Sequence, residues 1–138
     1  MAGKNCIINL ESKQKMGGDQ ETIKEGYCGI IMERDDAYYL SYKRNLEDGE
    51  VACLLTFDRH SFTMSQKGAL RSKLELHPGE KTTNEYSTPV GALDLQVYTR
   101  RYDVVEQEDY IKVIIDYDIL TGADPIETSM DIEIIYLE

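Results

Sequence analysis

Side chains able to do chemistry are few in this chain, and their spacing argues against a reactive centre. Histidine occurs only as His60 and His77, and cysteine only as Cys6, Cys28 and Cys53. Structural zinc sites draw their ligands from short paired spacings such as Cys-x-x-Cys. Here the histidines stand in separate turn-like segments and the cysteines lie far apart, so no metal site is expected. Ser61 and Ser65 near His60 raise the idea of a nucleophile and its base. Adjacent residues of an extended chain point to opposite faces, which separates Ser61 from His60, and there is no Gly-x-Ser-x-Gly elbow. Asp116 and Asp118 share a strand face with Lys112, while Asp131 and Glu133 alternate with Met130, Ile132 and Ile134. A hydrolytic pair needs one carboxyl in apolar surroundings, whereas this alternation places the acids on a solvated face with cross-strand Lys–Asp pairing. Met16-Gly17-Gly18-Asp19 is a turn with no helix behind it to receive a phosphate. No catalytic residue, cofactor site or metal site is expected, and the chain does not read as an enzyme.

The elements that would position any site are strands. Short segments with every second residue apolar run from Cys6 almost to the last residue, and no window of ten or more residues has helical periodicity. The clearest rows are Leu93, Leu95 and Val97; Ile111, Val113, Ile115, Tyr117 and Ile119; and Met130, Ile132, Ile134 and Tyr136. Turn residues separate them: Arg34-Asp35-Asp36, Asn45 to Gly49, Asp58-Arg59-His60, Lys67-Gly68, His77-Pro78-Gly79-Glu80, and Thr121 to Pro125. The acidic stretch Tyr102 to Asp109 reads as a loop, or as a ragged extension of the flanking hairpin. About ten strands with short connections predict one all-β domain over residues 1–138, an antiparallel up-and-down barrel of about eight to ten strands. Its interior is expected to take Cys53, Leu55, Leu93, Leu95, Val97, Ile111, Val113, Ile115, Met130, Ile132 and Ile134.

Charge narrows the partners. The 138 residues carry a net charge of −11, which opposes binding to a phosphate backbone and to an anionic membrane surface. Neither nucleic acid nor membrane is expected as a partner. Three unpaired cysteines suit a reducing compartment. No basic stretch with an apolar run behind it opens the chain, and no apolar run approaches the ~20 residues that span a bilayer. The expected location is the cytoplasm. Ten tyrosines against two phenylalanines and no tryptophan suit strands with one wet face.

Tyr86-Ser87-Thr88-Pro89-Val90-Gly91 is the most distinctive motif, with Pro89 fixing its φ and Gly91 free to take a positive one. Tyr86, Thr88, Pro89 and Gly91 are expected as a rim motif at a barrel mouth. Together with Tyr39-Leu40-Ser41-Tyr42-Lys43, Leu54-Leu55-Thr56-Phe57, Phe62 to Gly68 and Thr99, this motif resembles the YwiB-like β-barrel family. That is a domain family of unknown function in Gram-positive bacteria. The resemblance implies a lipocalin-like (calycin) barrel and no assigned activity. The Gly-x-Trp signature of secreted lipocalins is missing, since the chain has no tryptophan. Two functions follow as expectations. One is a barrel holding a small hydrophobic or amphipathic ligand. The other is a side-chain-filled barrel that docks a protein partner.

Overall fold

The computed structural model describes residues 3–88 and 91–137, except the side chains of residues 86–88. Ten strands follow one another: β1 (Lys4–Met16), β2 (Asp19–Arg34), β3 (Ala37–Leu46), β4 (Gly49–Phe57), β5 (Phe62–Gly68), β6 (Ser72–Leu76), β7 (Lys81–Thr88), β8 (Gly91–Glu106), β9 (Tyr110–Leu120) and β10 (Ile126–Tyr136). Each pairs antiparallel with its chain neighbours, and β10 returns to β1, so the sheet closes into an up-and-down barrel. Short turns make this order possible. Asp35 and Asp36 form a two-residue connection with φ of 53° and 65°, the left-handed pair that matches the twist of a hairpin.

Register sets the width of the tube. The pairs Leu93↔Tyr86, Tyr86↔Ser72, Ser72↔Gln66, Gln66↔Cys53, Cys53↔Tyr42, Tyr42↔Gly29, Gly29↔Cys6 and Cys6↔Tyr136 form one continuous row. That row leaves β8 near its first residue and reaches Tyr136, whose amide bonds to the Asp109 carbonyl just beyond the end of β8. The stagger accumulated around the barrel is therefore about the whole length of β8. A large stagger tilts the strands and widens the interior beyond what ten short strands would otherwise enclose.

Apolar side chains fill one end of that interior. Around the Asp35-Asp36 turn and the 58–61 loop, Tyr38, Phe57, Phe62, Leu76, Ile111, Ile134 and Ile8 are all buried. Tyr38, Phe57, Phe62 and Tyr102 form a chain of rings with centroids 5.2, 6.4 and 6.4 Å apart. The Tyr102 hydroxyl reaches the carbonyls of Asp58 at 2.5 Å and Ser61 at 3.1 Å, tying β8 to the loop between β4 and β5. This is the closed end. At the other end, near the 17–18, 47–48 and 121–125 turns, Val51 and Thr128 are buried, but many side chains on the inward parity are half-buried or exposed. Ser12, Ile23, Glu25, Arg44, Ser72, Leu74, Leu95 and Ile119 all fall in this group. This is the open end.

Of the residues expected inside, Cys53, Leu55, Val97, Ile111, Val113, Ile115, Met130, Ile132 and Ile134 are buried. Leu93 corrects that expectation, being 50% exposed, and Leu95 is half-buried. Both have the inward parity, but the last β8–β9 pair is Gln96↔Leu120. The β7–β8 hairpin runs on past β9, so Leu93 has β7 beside it and nothing on its other flank. The loop expected at Tyr102 to Asp109 is also largely strand. β8 continues to Glu106 through a bulge between Thr99 and Arg101, and the bulge moves the inward phase from Val97 and Thr99 to Tyr102.

The wall has irregular seams. The β2–β3 ladder ends at Gly29↔Tyr42 although both strands run on. β6 and β7 share only the pairs Ser72↔Tyr86 and Lys73↔Glu85. Farther along, side chains bridge the gap. The Glu75 amide donates to Asn84 Oδ1 at 2.6 Å, Thr82 Oγ1 donates to the Glu75 carbonyl at 2.5 Å, and Asn84 Nδ2 donates to Thr82 Oγ1 at 3.1 Å.

Three glycines sit near φ 130°, a conformation that other residues avoid: Gly49 at 131°, Gly68 at 127° and Gly91 at 129°. A Cβ on Gly91 would meet nothing within 4 Å, whereas on Gly68 it would come within 2.3 Å of the Glu50 carbonyl oxygen. Gly91→Val is expected to lower stability by ~1–3 kcal/mol through backbone strain alone. Gly68→Ala, although smaller, should cost more because a clash adds to the strain. Urea denaturation of the two variants checks that order, and an unchanged midpoint for Gly91→Val would remove the strain argument.

Candidate functional site at the open end of the barrel

Strand alternation builds this site by continuing inward-facing positions past the apolar core into polar residues. On β3 the row Tyr38, Leu40, Tyr42 is buried and the next inward position is Arg44. On β2, Ile31 is buried and Tyr27 and Glu25 follow on the same face. These three polar groups meet. Arg44 Nε donates to the Tyr27 hydroxyl at 3.2 Å, the Tyr27 hydroxyl donates to Glu25 Oε2, and Arg44 Nη2 lies 3.5 Å from the same oxygen. The Tyr27 ring stacks on Tyr42 with centroids 4.9 Å apart, which fixes the phenol between the two charges. The ion pair is neither buried nor free, with side chains 24% and 28% exposed.

A second polar group lines the next wall. Ser72 Oγ donates to Gln66 Oε1 at 2.8 Å, and Gln66 Nε2 lies 3.7 Å from Cys53 Sγ. Burial pushes the Cys53 thiol up, so it is not a thiolate nucleophile. On the opposite wall, the pairs Thr99↔Tyr117 and Tyr117↔Thr128 place three hydroxyls in one inward row across β8, β9 and β10. Thr99 is 0% and Thr128 1% exposed, and neither Oγ1 has a hydrogen-bond partner among the described residues. A buried hydroxyl is ordinarily satisfied by protein, by water or by a ligand, and leaving one unmet costs about 1–3 kcal/mol. The Tyr117 phenol is pushed up to about 12 by burial.

The remaining reactive residues stay apart. Ser61 Oγ donates to Asp58 Oδ1 at 3.3 Å, and the amides of His60 and Ser61 donate to the same oxygen. Burial alone would raise the Asp58 carboxyl, but these bonds outweigh it and hold the group below its usual value. Ser61 is thus part of a turn, not paired with His60. His77 meets Glu75 at 3.1 Å. Asp118 pairs with Arg100 at 3.0 Å on the outer wall, and Glu133 sits opposite Lys112. All three thiols are free, with Cys28 exposed on the outside. Among the described residues, no group of three or more His, Cys, Asp or Glu is placed to hold a metal ion. Of the rim motif, Gly91 lies at the start of β8 beside the open end, Pro89 is outside the described residues, and so are the side chains of Tyr86 and Thr88. The outer wall has its own apolar patch. Ile7, Ile30 and Leu54 are exposed there, beside a cleft of about 430 Å³ lined by Asn5, Cys28, Ser41, Lys43 and Ala52.

Residues 12, 25, 44, 66, 72, 99, 117 and 128 were not singled out as a site from the sequence. Their signal was there in part. Arg44 continues the even-numbered row of β3, and Glu25 continues the odd-numbered row of β2. A charge at the end of an alternating row reads equally well as the point where a strand meets water.

A fold of this kind defines a ten-stranded antiparallel β-barrel protein, filled at one end and polar at the other. The chain belongs to the family described as a domain of unknown function, DUF1934, whose model matches residues 8–134. It is 23% identical over 115 residues to the uncharacterized beta-barrel protein YwiB of Bacillus subtilis (strain 168), covering 83% of this chain and 81% of that protein. The crystal structure of the ywiB protein from Bacillus subtilis superposes with a TM-score of 0.88 at 20% identity, over 99% of this chain and 94% of the other. That likeness is one of fold. The family and the closed all-β barrel implied by the segments between Tyr38 and Thr99 are those found.

Burial of Tyr117 gives a pH dependence. Its folded pKa is above the unfolded value near 10, so its stabilising contribution is complete below pH ~10. It is lost as pH rises toward about 12, because the unfolded chain then releases a proton that the folded one keeps. Urea midpoints measured from pH 8 upward should fall over that window in the native protein and fall less steeply in Tyr117→Phe. An identical slope in both would place the pH dependence elsewhere.

Proposed function

We propose that the protein binds a small amphipathic molecule in the open half of its barrel, without catalysing a reaction. The observation that carries this reading is the pair of fully buried, inward hydroxyls of Thr99 and Thr128 that lack a partner. Buried polar groups are ordinarily satisfied by protein or by ordered molecules. These two face the half of the interior that holds the half-buried inward residues, of mixed character. Leu74, Met64, Leu95 and Ile119 supply apolar surface there, while Arg44, Glu25, Gln66 and Ser72 supply hydrogen bonds. Ligand sites generally combine apolar walls with a few placed polar groups in this way.

A cytoplasmic setting goes with this reading, supported by the three free thiols. The net charge of −11 supports partners other than nucleic acid or anionic membrane. A second reading, docking of a protein partner, has one observation in its favour: the exposed Ile7, Ile30 and Leu54 on the outer wall.

Native mass spectrometry of the protein purified from its own host tests the first reading. An added mass that leaves on denaturation is the expected result. A bare mass, together with no binding of an uncharged amphipathic fluorophore, would overturn it. Thr128→Val separates a binding role from a structural one. Removing an unpartnered hydroxyl should leave the free protein as stable or stabilise it by ~1–2 kcal/mol, while weakening fluorophore binding. A loss of stability would show that the hydroxyl supports the fold itself.

A further inference from the structure

Within the open half, Arg44 combines features that suit a particular head group. We infer that Arg44 is the seat of a carboxylate, and that the ligand is an amphipathic monocarboxylate whose hydrocarbon lies against Leu74, Met64, Leu95 and Ile119. This rests on the reading of the open end as a ligand site and adds the chemistry of what enters it.

Geometry carries the inference in three steps. First, Arg44 is under-used. Its contact with Glu25 is single and 3.5 Å long, whereas a charge-assisted N–H···O bond is about 2.7–2.9 Å and an Arg–carboxylate pair is often bidentate. The bonds it makes employ Nε and Nη2, which leaves the Nη1 edge for a ligand. Second, Glu25 does not depend on Arg44. It accepts the Tyr27 hydroxyl, so a carboxylate that takes over the guanidinium leaves Glu25 still hydrogen-bonded and within reach of water at the barrel mouth. Third, the site is held in place. Tyr27 is stacked on Tyr42, so the Nε bond fixes the guanidinium plane and the fork is set before a ligand arrives.

Overall acidity does not oppose this. Charges on the outer wall are screened over a Debye length of about 8–10 Å in salt, and at short range the ligand meets the guanidinium first. Arg44 is also the cation on the inward face of the open half among the described strand residues, since Lys13, Lys15, Lys24, Lys43, Lys67 and Lys73 all have the outward parity.

The test is competition of decanoate and decanol against the uncharged fluorophore N-phenylnaphthylamine, in the native protein and in two variants. Decanoate should displace the fluorophore at least about tenfold better than decanol, equivalent to one charge-assisted contact. The preference should vanish in Arg44→Gln. In Glu25→Gln, decanoate should bind more tightly than in the native protein, because its competitor and a like charge are removed. That gain cannot come from a damaged fold. Equal displacement by decanoate and decanol overturns the carboxylate inference while leaving the open end as a ligand site. A preference that survives in Arg44→Gln, or no gain in Glu25→Gln, removes Arg44 as the anchor. No fluorophore binding at all overturns both this inference and the reading beneath it.

Discussion

Because every strand pairs with its chain neighbours and β10 comes home to β1, the sheet closes on itself, and edges are bare only where a ladder stops short, as between β6 and β7 or where β8 overruns β9. The stagger needed for that return also fixes how wide the tube must be. A stagger close to the length of β8 gives strongly tilted strands and a broad interior that side chains have to fill. At the closed end, rings solve the problem. Tyr38, Phe57, Phe62 and Tyr102 reach far enough to touch in sequence, and each buried ring contributes on the order of 2–3 kcal/mol. At the open end the inward positions are mixed: serine, threonine, glutamine and a charged pair stand beside Ile23, Leu74, Leu95 and Ile119. The two halves of one interior therefore obey different rules under a single backbone constraint.

The polar half is organised, not loosely solvated. Tyr27 links Glu25 to Arg44 and is itself clamped by Tyr42. Gln66 is held by Ser72. Across from them, Thr99 and Thr128 are buried without partners. Against a typical folding stability of about 5–15 kcal/mol, two orphaned hydroxyls are a sizeable fraction. A fold that keeps them has something to gain when they are satisfied, and that is the physical content of the proposed function.

Much of the barrel can be read from alternation alone, and the exceptions have identifiable causes. Ile111, Val113 and Ile115 announce β9 because their strand has a neighbour on both sides along its whole length. Leu93 belongs to the same kind of row, yet periodicity records only which face a residue takes. It says nothing of where the adjoining strand stops, and β9 stops before Leu93 is reached. Tyr102 to Glu106 resembles a loop because the bulge after Thr99 switches the inward phase from odd to even numbers. Glu25 and Arg44 were hidden for a different reason. Isolated charges at the ends of rows say nothing of each other until the folded chain brings the Arg44 side chain to the Tyr27 hydroxyl, past the last β2–β3 pair at Gly29↔Tyr42.

The seam between β6 and β7 has a consequence for how this family can diversify. Most of the wall is held by main-chain bonds that every sequence possesses. Between Glu75 and Asn84 it is held by an amide side chain and the hydroxyl of Thr82, which a single codon change can remove. Wall continuity here is an inherited trait, not a given of the backbone. Relatives carrying other residues at these two positions would possess a lateral opening, so one architecture could acquire side entry without altering its topology.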